Sequence, residues 1–308
     1  MGIPPLVLPK KLEMTIPSFH LFVQTLILGV LVGGVYALMS SGLTLIFGVM
    51  RVINVAHGAF LILGAYITYL LFQNYHIDPL VSILITMPLL FGVGWLLQRY
   101  VLARIENPEQ TSVLVTFALA LVMEGLLGTL FQTTFRSVKP GYATDAILIA
   151  TYRFPVTRLM GFSVALLIMF VLYLILQYTN LGRAIRATIQ DPRAAQLVGI
   201  NVSLVSAFTF AMGVSTAAAG GSLLSMIYSF NPSSQADWIA RTLSIIVLGG
   251  MGSLPGAMLA AIILGMMEQM TAIMITLYWS PIVFYFFLFI TLIVRPQGLL
   301  GEIIREKG

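Results

Sequence analysis

Phe19-His-Leu-Phe-Val-Gln-Thr-Leu-Ile-Leu-Gly-Val-Leu-Val-Gly-Gly-Val-Tyr-Ala-Leu-Met39 runs without a charged residue, pauses at Ser40-Ser41, and resumes as Gly42-Leu-Thr-Leu-Ile-Phe-Gly-Val-Met50. The first run is long enough to cross a bilayer as a helix, which takes about 20 apolar residues. Comparable runs follow at Val55–Phe72, Leu80–Gln98, Thr111–Phe131, Leu159–Tyr178, Ser203–Tyr228, Gly256–Thr276 and Pro281–Val294. Backbone in lipid must be hydrogen-bonded internally, and continuous apolar runs achieve that as helices, whereas barrel strands would alternate. Composition agrees: 59% of the 308 residues are hydrophobic and only 9% are charged, where soluble domains carry about a quarter. The expected fold is all-α, a polytopic membrane helical bundle of about eight full spans plus two short broken ones.

The second short piece is Trp238–Gly249, followed by Gly249-Gly-Met-Gly-Ser-Leu-Pro-Gly256. As helices the two pieces would reach about 14 Å and about 18 Å, against about 30 Å of hydrocarbon. Gly42, Gly249, Gly250 and Gly252 are therefore expected to act as hinges. Counting both pieces as crossings, with the N-terminus inside, puts Lys10, Lys11, Arg51, Arg99, Arg104, Arg183, Arg186, Arg193, Arg295, Arg305 and Lys307 on the inside. Only Arg136, Lys139, Arg153, Arg158 and Arg241 then fall outside, as the positive-inside rule requires. The expected organisation is a cytoplasmic arm over 1–18, a transmembrane domain over 19–295 containing a cytoplasmic loop at 179–201, and a cytoplasmic tail over 296–308. The apolar stretch after the arm is too long for a signal peptide and lacks a small-residue cleavage site. The order long, short, long, long at the start of the chain returns from Ser203, which predicts a repeat about an axis along the membrane normal.

One polar segment stands out: Asn180-Leu-Gly-Arg-Ala-Ile-Arg-Ala-Thr-Ile-Gln-Asp-Pro-Arg-Ala-Ala-Gln-Leu-Val-Gly-Ile-Asn201. Its pattern predicts a short helix over Leu181–Gln190 with Arg183 and Arg186 on one face. Asp191 then fits an N-cap, Pro192 the first helical position, and Gly199 the residue after a second short helix. Such a pair of helices forms either a rigid docking knob or an ordinary basic loop at the headgroups.

Arg193-Ala194-Ala195-x-x-x-Gly199 resembles the EAA-x-x-x-G loop through which permeases of ATP-binding-cassette importers engage their ATPases, with arginine in place of the frequent glutamate. A wider set of stretches resembles the branched-chain amino acid permease family of these importers. They are Gly34-Val-Tyr-Ala-Leu38, Gly42-Leu-Thr-Leu-Ile-Phe-Gly48, Val52-Ile-Asn-Val-Ala-His-Gly58 and Gly64-Ala-Tyr66 in the first half. Leu181-Gly-Arg-Ala184, Leu197-Val-Gly-Ile-Asn201, Gly249-Gly-Met-Gly-Ser253 and Arg295-Pro-Gln-Gly-Leu299 follow in order, and Asn54-Val-Ala-His57 favours the H-type leucine/isoleucine/valine permease. The resemblance implies a bacterial inner-membrane importer made of this subunit, a second related permease, two ATPase subunits and an extracytoplasmic substrate-binding protein. It also implies that Arg183, Arg186, Asp191, Ala194, Ala195 and Gly199 form the ATPase-coupling loop. The sequence contains no G-x-x-x-x-G-K-[ST] phosphate loop, so ATP and Mg would be used by the partner subunits, with no cofactor bound by this chain.

Ionisable groups within spans mark pathways or ties between helices. Glu124 and Glu268 are the carboxylates so placed, and either could line the path or hold helices together. If they instead carried protons or ions, the chain would be an ion-coupled secondary transporter, the alternative from a different class. Asn54 and His57 share a helix face just after Arg51, as an inner gate or as an anchor for a helix start. No metal site is expected, because His20 and His76 lie apart from His57 and no helical ligand spacing appears. Nor does a basic stripe for nucleic acid exist, and without cysteine no disulfide is available. Gly213-Val-Ser215 invites comparison with an intramembrane serine protease, but no matching histidine span accompanies it.

Overall fold

The computed structural model describes residues 18–105, 108–149 and 151–301. In chain order the elements are α1 (Phe19–Met50), α2 (His57–Tyr75), α3 (Pro79–Tyr100), α4 (Pro108–Phe131) and a hairpin of β1 (Ala146–Ile149) and β2 (Tyr152–Pro155). There follow α5 (Val156–Tyr178), α6 (Asn180–Gln190), α7 (Pro192–Leu197), α8 (Val202–Ile227), α9 (Ser234–Gly249), α10 (Leu254–Met274) and α11 (Ile282–Val294). Six helices, α1, α3, α4, α5, α8 and α10, are long and apolar enough to cross a membrane, so the chain is a multi-pass membrane protein. The antiparallel hairpin is a small departure from the all-α expectation; its register pairs Ala146 with Pro155 and Ile149 with Tyr152.

The break expected at Gly42 does not occur. α1 is one unbroken helix of 32 residues. The hydroxyls that looked helix-weakening are satisfied within it: Ser40 Oγ donates to the Tyr36 carbonyl, Ser41 Oγ to Leu38 at 2.7 Å, and Thr44 Oγ1 to Ser40 at 2.8 Å. Gly42 serves packing instead, since a Cβ on Gly213 of α8 would lie 2.7 Å from the Gly42 carbonyl oxygen. The helix stops at Arg51, whose φ of 52° is left-handed.

An unbroken α1 changes which end of the bundle each segment occupies. At its start, His20 Nε2 lies 2.9 Å from Thr151 Oγ1 and Gln24 Nε2 donates to the Arg153 carbonyl, in the hairpin that feeds α5. At its other end, Gly48 faces Ile189 of α6 and Gly252. α1 and α5 therefore run parallel, and Phe19 and the 180–201 loop lie at opposite ends of the bundle. The final described segment packs at the loop end, where Leu299 N donates to the Leu248 carbonyl at 2.7 Å. The start of α1 and residues 295–301 thus sit at opposite ends, contrary to the expectation of ten crossings with both termini on one side. The arm itself, 1–17, lies outside the described residues.

The repeat is present with a different axis. α1 crosses α8 antiparallel, with Met39 against Gly220 and Ile46 against Gly213. Each long helix is followed by an irregular segment, 51–56 or 228–233, and then by α2 or α9. Next come α3 and α10, each antiparallel to its predecessor, and finally α4 and α11. Because the two copies start at opposite ends, their axis lies in the membrane plane, as in inverted-repeat transporters. Small residues let the copies approach: a Cβ on Gly33 would stand 2.8 Å from Ile262 Cα, and one on Gly64 2.7 Å from Ala218 Cα.

Candidate functional site

Both α2 and α9 begin inside the bundle. Residues 51–56 turn back from the end of α1, bringing His57 Nε2 to 2.8 Å from the Met39 carbonyl. Met39 lies about 16 Å back along α1 from Met50 by helical rise. α9 starts at the same depth, because a Cβ on Gly58 would stand 3.0 Å from Ile239 Cβ. Asn54 and His57 are fully buried here. The Asn54 carbonyl accepts from His57 N at 3.2 Å, and Val55 N donates to Thr116 Oγ1 of α4 at 3.1 Å. Asn54 Oδ1 and Nδ2, His57 Nδ1 and Gln235 Oε1 have no hydrogen-bond partner among the described residues. Unpaired buried polar atoms are rare in native proteins; four lie at these two helix starts, and Tyr66 Oη, Gln98 Oε1 and Arg136 Nε are likewise without partners elsewhere among the described residues. Gln235 Nε2 donates to Glu124 Oε2 at 3.0 Å, which ties α9 to α4.

The second carboxylate has a different environment. Glu268 on α10 is 2% exposed and both of its oxygens are bonded. Arg241 Nη1 donates to Oε1 at 2.6 Å, and the Tyr36 hydroxyl donates to Oε2 at 2.6 Å. Tyr36 also lies 2.9 Å from the Tyr228 hydroxyl and accepts from Arg241 at 3.2 Å. The guanidinium stacks 4.7 Å from the Trp238 ring centre and 5.2 Å from that of Phe284. Every charge is matched, and the group joins α1 of one repeat to α9 and α10 of the other. Arg241, expected in an outer loop, is thus an interior residue. Its spacing of three from Trp238 on one helix face was the signal available in the sequence, and nothing local pointed to Glu268 as its partner.

At the loop end the helices form as expected. Asp191 Oδ1 accepts from Arg193 N at 2.8 Å and Ala194 N at 3.1 Å, capping α7 behind Pro192. Gly199, with φ of 88°, ends it while Ile200 N donates to the Ala195 carbonyl at 3.0 Å. Ala195 is buried, whereas Leu197 is 89% and Val198 78% exposed, an apolar tip at the end of the knob. Arg183 bonds the Asn180 side chain and Arg186 the Leu176 carbonyl at the end of α5. Behind α6 lies a cavity of about 430 Å³, walled by Thr44, Leu172, Ile185, Ile189 and Met258 among others. Gly249 and Gly256 touch across the turn between α9 and α10; a Cβ on Gly249 would lie 2.5 Å from Ala257 N. Gly250 has φ of 102° and Gly252 of 88°, so this second break is real. The last carbonyls of α9 are not left open, since Leu300 N donates to Gly249 at 3.0 Å.

The profile of the family described as branched-chain amino acid transport system, permease component, matches residues 25–294. The chain belongs to this family. Among relatives of this permease, the high-affinity branched-chain amino acid transport system permease protein LivH of Escherichia coli K12 is 28% identical, the match covering 94% of this chain and 99% of that protein. LivH of Salmonella typhimurium is 27% identical and BraD of Pseudomonas aeruginosa 29%, each over the same shares. Among solved structures, PsaBC from Streptococcus pneumoniae in complex with Fab aligns over 91% of this permease and 94% of that chain at 13% identity and a TM-score of 0.43. The site described above thus lies in a transport permease whose described residues hold no group of three or more metal-ligating side chains.

Proposed function

We propose that this chain is a permease subunit of an ATP-binding-cassette importer in a bacterial inner membrane, passing branched-chain or related hydrophobic amino acids. The α6–α7 knob supports this most directly. Its capped, rigid form and bare apolar tip at Leu197 and Val198 suit a partner protein better than headgroups or water. The partners in this reading are two ATPase subunits on the loop end, a second related permease alongside, and a substrate-binding protein at the opposite end. ATP and Mg belong to the ATPases. Glu268 is held in an ion pair, which favours this reading over an ion-coupled carrier.

Force on the knob has a defined route inward. Gly182 of α6 sits so close to the end of α5 that a Cβ there would stand 2.5 Å from the Ile175 carbonyl oxygen. Ile185 and Ile189 of the same helix wall the cavity beside α1 and α10. A shift of α6 therefore moves α5 and the loop end of α1 together, and the two inverted copies change their mutual angle around the mid-depth starts of α2 and α9. The test is reconstitution with the ATPases and binding protein in vesicles. ATP-dependent leucine uptake is expected, and Leu197→Asp should weaken ATPase co-purification by at least about tenfold, or 1.4 kcal/mol, without changing membrane insertion. Uptake that proceeds without ATP and collapses with the proton gradient would overturn the reading.

A further inference from the structure

We propose that Glu124 and Gln235 form an ammonium-binding site on the translocation path, which selects substrates carrying a primary amine. This rests on the transport reading above and adds which part of the substrate the membrane subunit recognises. Glu124 lies on α4, nearer its Phe131 end, and is partly exposed. Leu121, Val122 and Leu126 around it are exposed as well. A carboxylate facing hydrocarbon at this depth is costly, so such groups face a bundle interior or a wet cavity. No other side chain of the described residues covers it with a charge, in contrast to Glu268 behind Arg241. In this proposal the carboxylate of Glu124 faces the solute path of the assembled importer, while Leu121, Val122 and Leu126 beside it are apolar.

Gln235 sets the chemistry of the site. One N–H of its Nε2 goes to Glu124 Oε2, while its Oε1 is buried without a partner among the described residues, in a residue only 7% exposed. Glu124 Oε1 likewise has no partner among the described residues. Besides the second N–H of the Gln235 amide, the pair offers two unpaired acceptors, one of them on a carboxylate, and an ammonium is a donor-only group with three N–H bonds. The two unpaired oxygens belong to side chains already hydrogen-bonded to each other, so both lie at one place, where α4 meets the start of α9. Position adds a means of release. Gln235 is in the first turn of α9 against Gly58 in the first turn of α2, at the seam between the inverted copies. Movement at that seam separates Gln235 from Glu124 and loosens the site.

The test uses the complete importer in proteoliposomes with its binding protein, reading labelled leucine uptake and binding-protein-stimulated ATP hydrolysis side by side. Glu124→Gln is expected to lower uptake by about tenfold, the loss of a charge-assisted bond, while stimulated hydrolysis persists; Glu124→Asp should restore most of the uptake. Uptake unchanged in Glu124→Gln overturns the site and leaves the importer reading intact. Loss of uptake and hydrolysis together, without rescue by Asp, shows a merely structural carboxylate and also overturns it. Wild-type uptake that requires a proton or sodium gradient in place of ATP overturns the importer reading, and the ammonium site with it.

Discussion

Arg241 shows at the scale of one residue why a charge is tolerated inside this bundle. Its side chain is 12% exposed and that of Glu268 3%, so neither is solvated by water. The pair replaces water for each partner, and Tyr36, Trp238 and Phe284 complete the surroundings. Removing one charge strands the other, a change of roughly 3–5 kcal/mol for buried pairs. Arg241→Met is therefore expected to lower the thermal stability of the purified protein sharply. Arg241→Met with Glu268→Met should recover much of the loss, because two apolar side chains need no counterion. Thermal unfolding of both variants and the wild type in detergent measures this, and equal losses in the single and double variants would show that the pair acts through shape alone. Glu124 follows another logic, with an amide for a partner and part of its surface open.

Continuity through Ser40-Ser41-Gly42 is the decision made at the scale of the element. Small and hydroxylic residues weaken a helix in water, where their side chains compete for backbone bonds. Inside a membrane bundle the same hydroxyls bond the carbonyls one turn back, and the absence of a side chain lets α8 cross closely. Substitution should therefore act through packing rather than propensity. Gly213→Ala, which drives a methyl toward the Gly42 carbonyl, is expected to cost roughly 1–3 kcal/mol. Gly128→Ala on α4 meets nothing within 4 Å, and such open positions shift stability within about 0.5 kcal/mol. Thermal stability in detergent separates the two, and equal effects would contradict the packing account. The α6–α7 pair was legible beforehand because capping is local: Asp191, Pro192 and Gly199 act on backbone atoms within a few residues of themselves.

For the whole molecule, an odd rearrangement of ends follows from one helix being whole. The chain has no cysteine, so single cysteines report position cleanly. His20→Cys and Leu197→Cys are expected to label from opposite faces of intact membrane vesicles with an impermeant thiol reagent. Labelling from one face would restore the ten-crossing arrangement. The positive-inside count was satisfied by that arrangement because it averages over loops, and most basic clusters keep their relative sides when the first pair of crossings merges. Arg51, at the end of α1, still falls on the side of Arg183 and Arg186. The bias could therefore not separate one whole first helix from two crossings in its place.

By itself the sequence determined that this is a helical membrane protein, where its apolar runs lie, how the polar loop is capped, and which family it resembles. Those properties depend on transfer of side chains to lipid and on contacts within a turn, both written in neighbouring residues. Only the tertiary structure decided that Gly42 is a crossing point, that the repeat is inverted, that Arg241 meets Glu268, and that Gln235 meets Glu124. Each of these joins residues far apart in the chain, and its energy arises from desolvation and close approach that exist only after the helices have packed. The two short apolar pieces make the contrast concrete. Trp238–Gly249 became a separate helix because two glycines of positive φ follow it, while Gly42–Met50 became the end of a longer one because α8 covers its weak point.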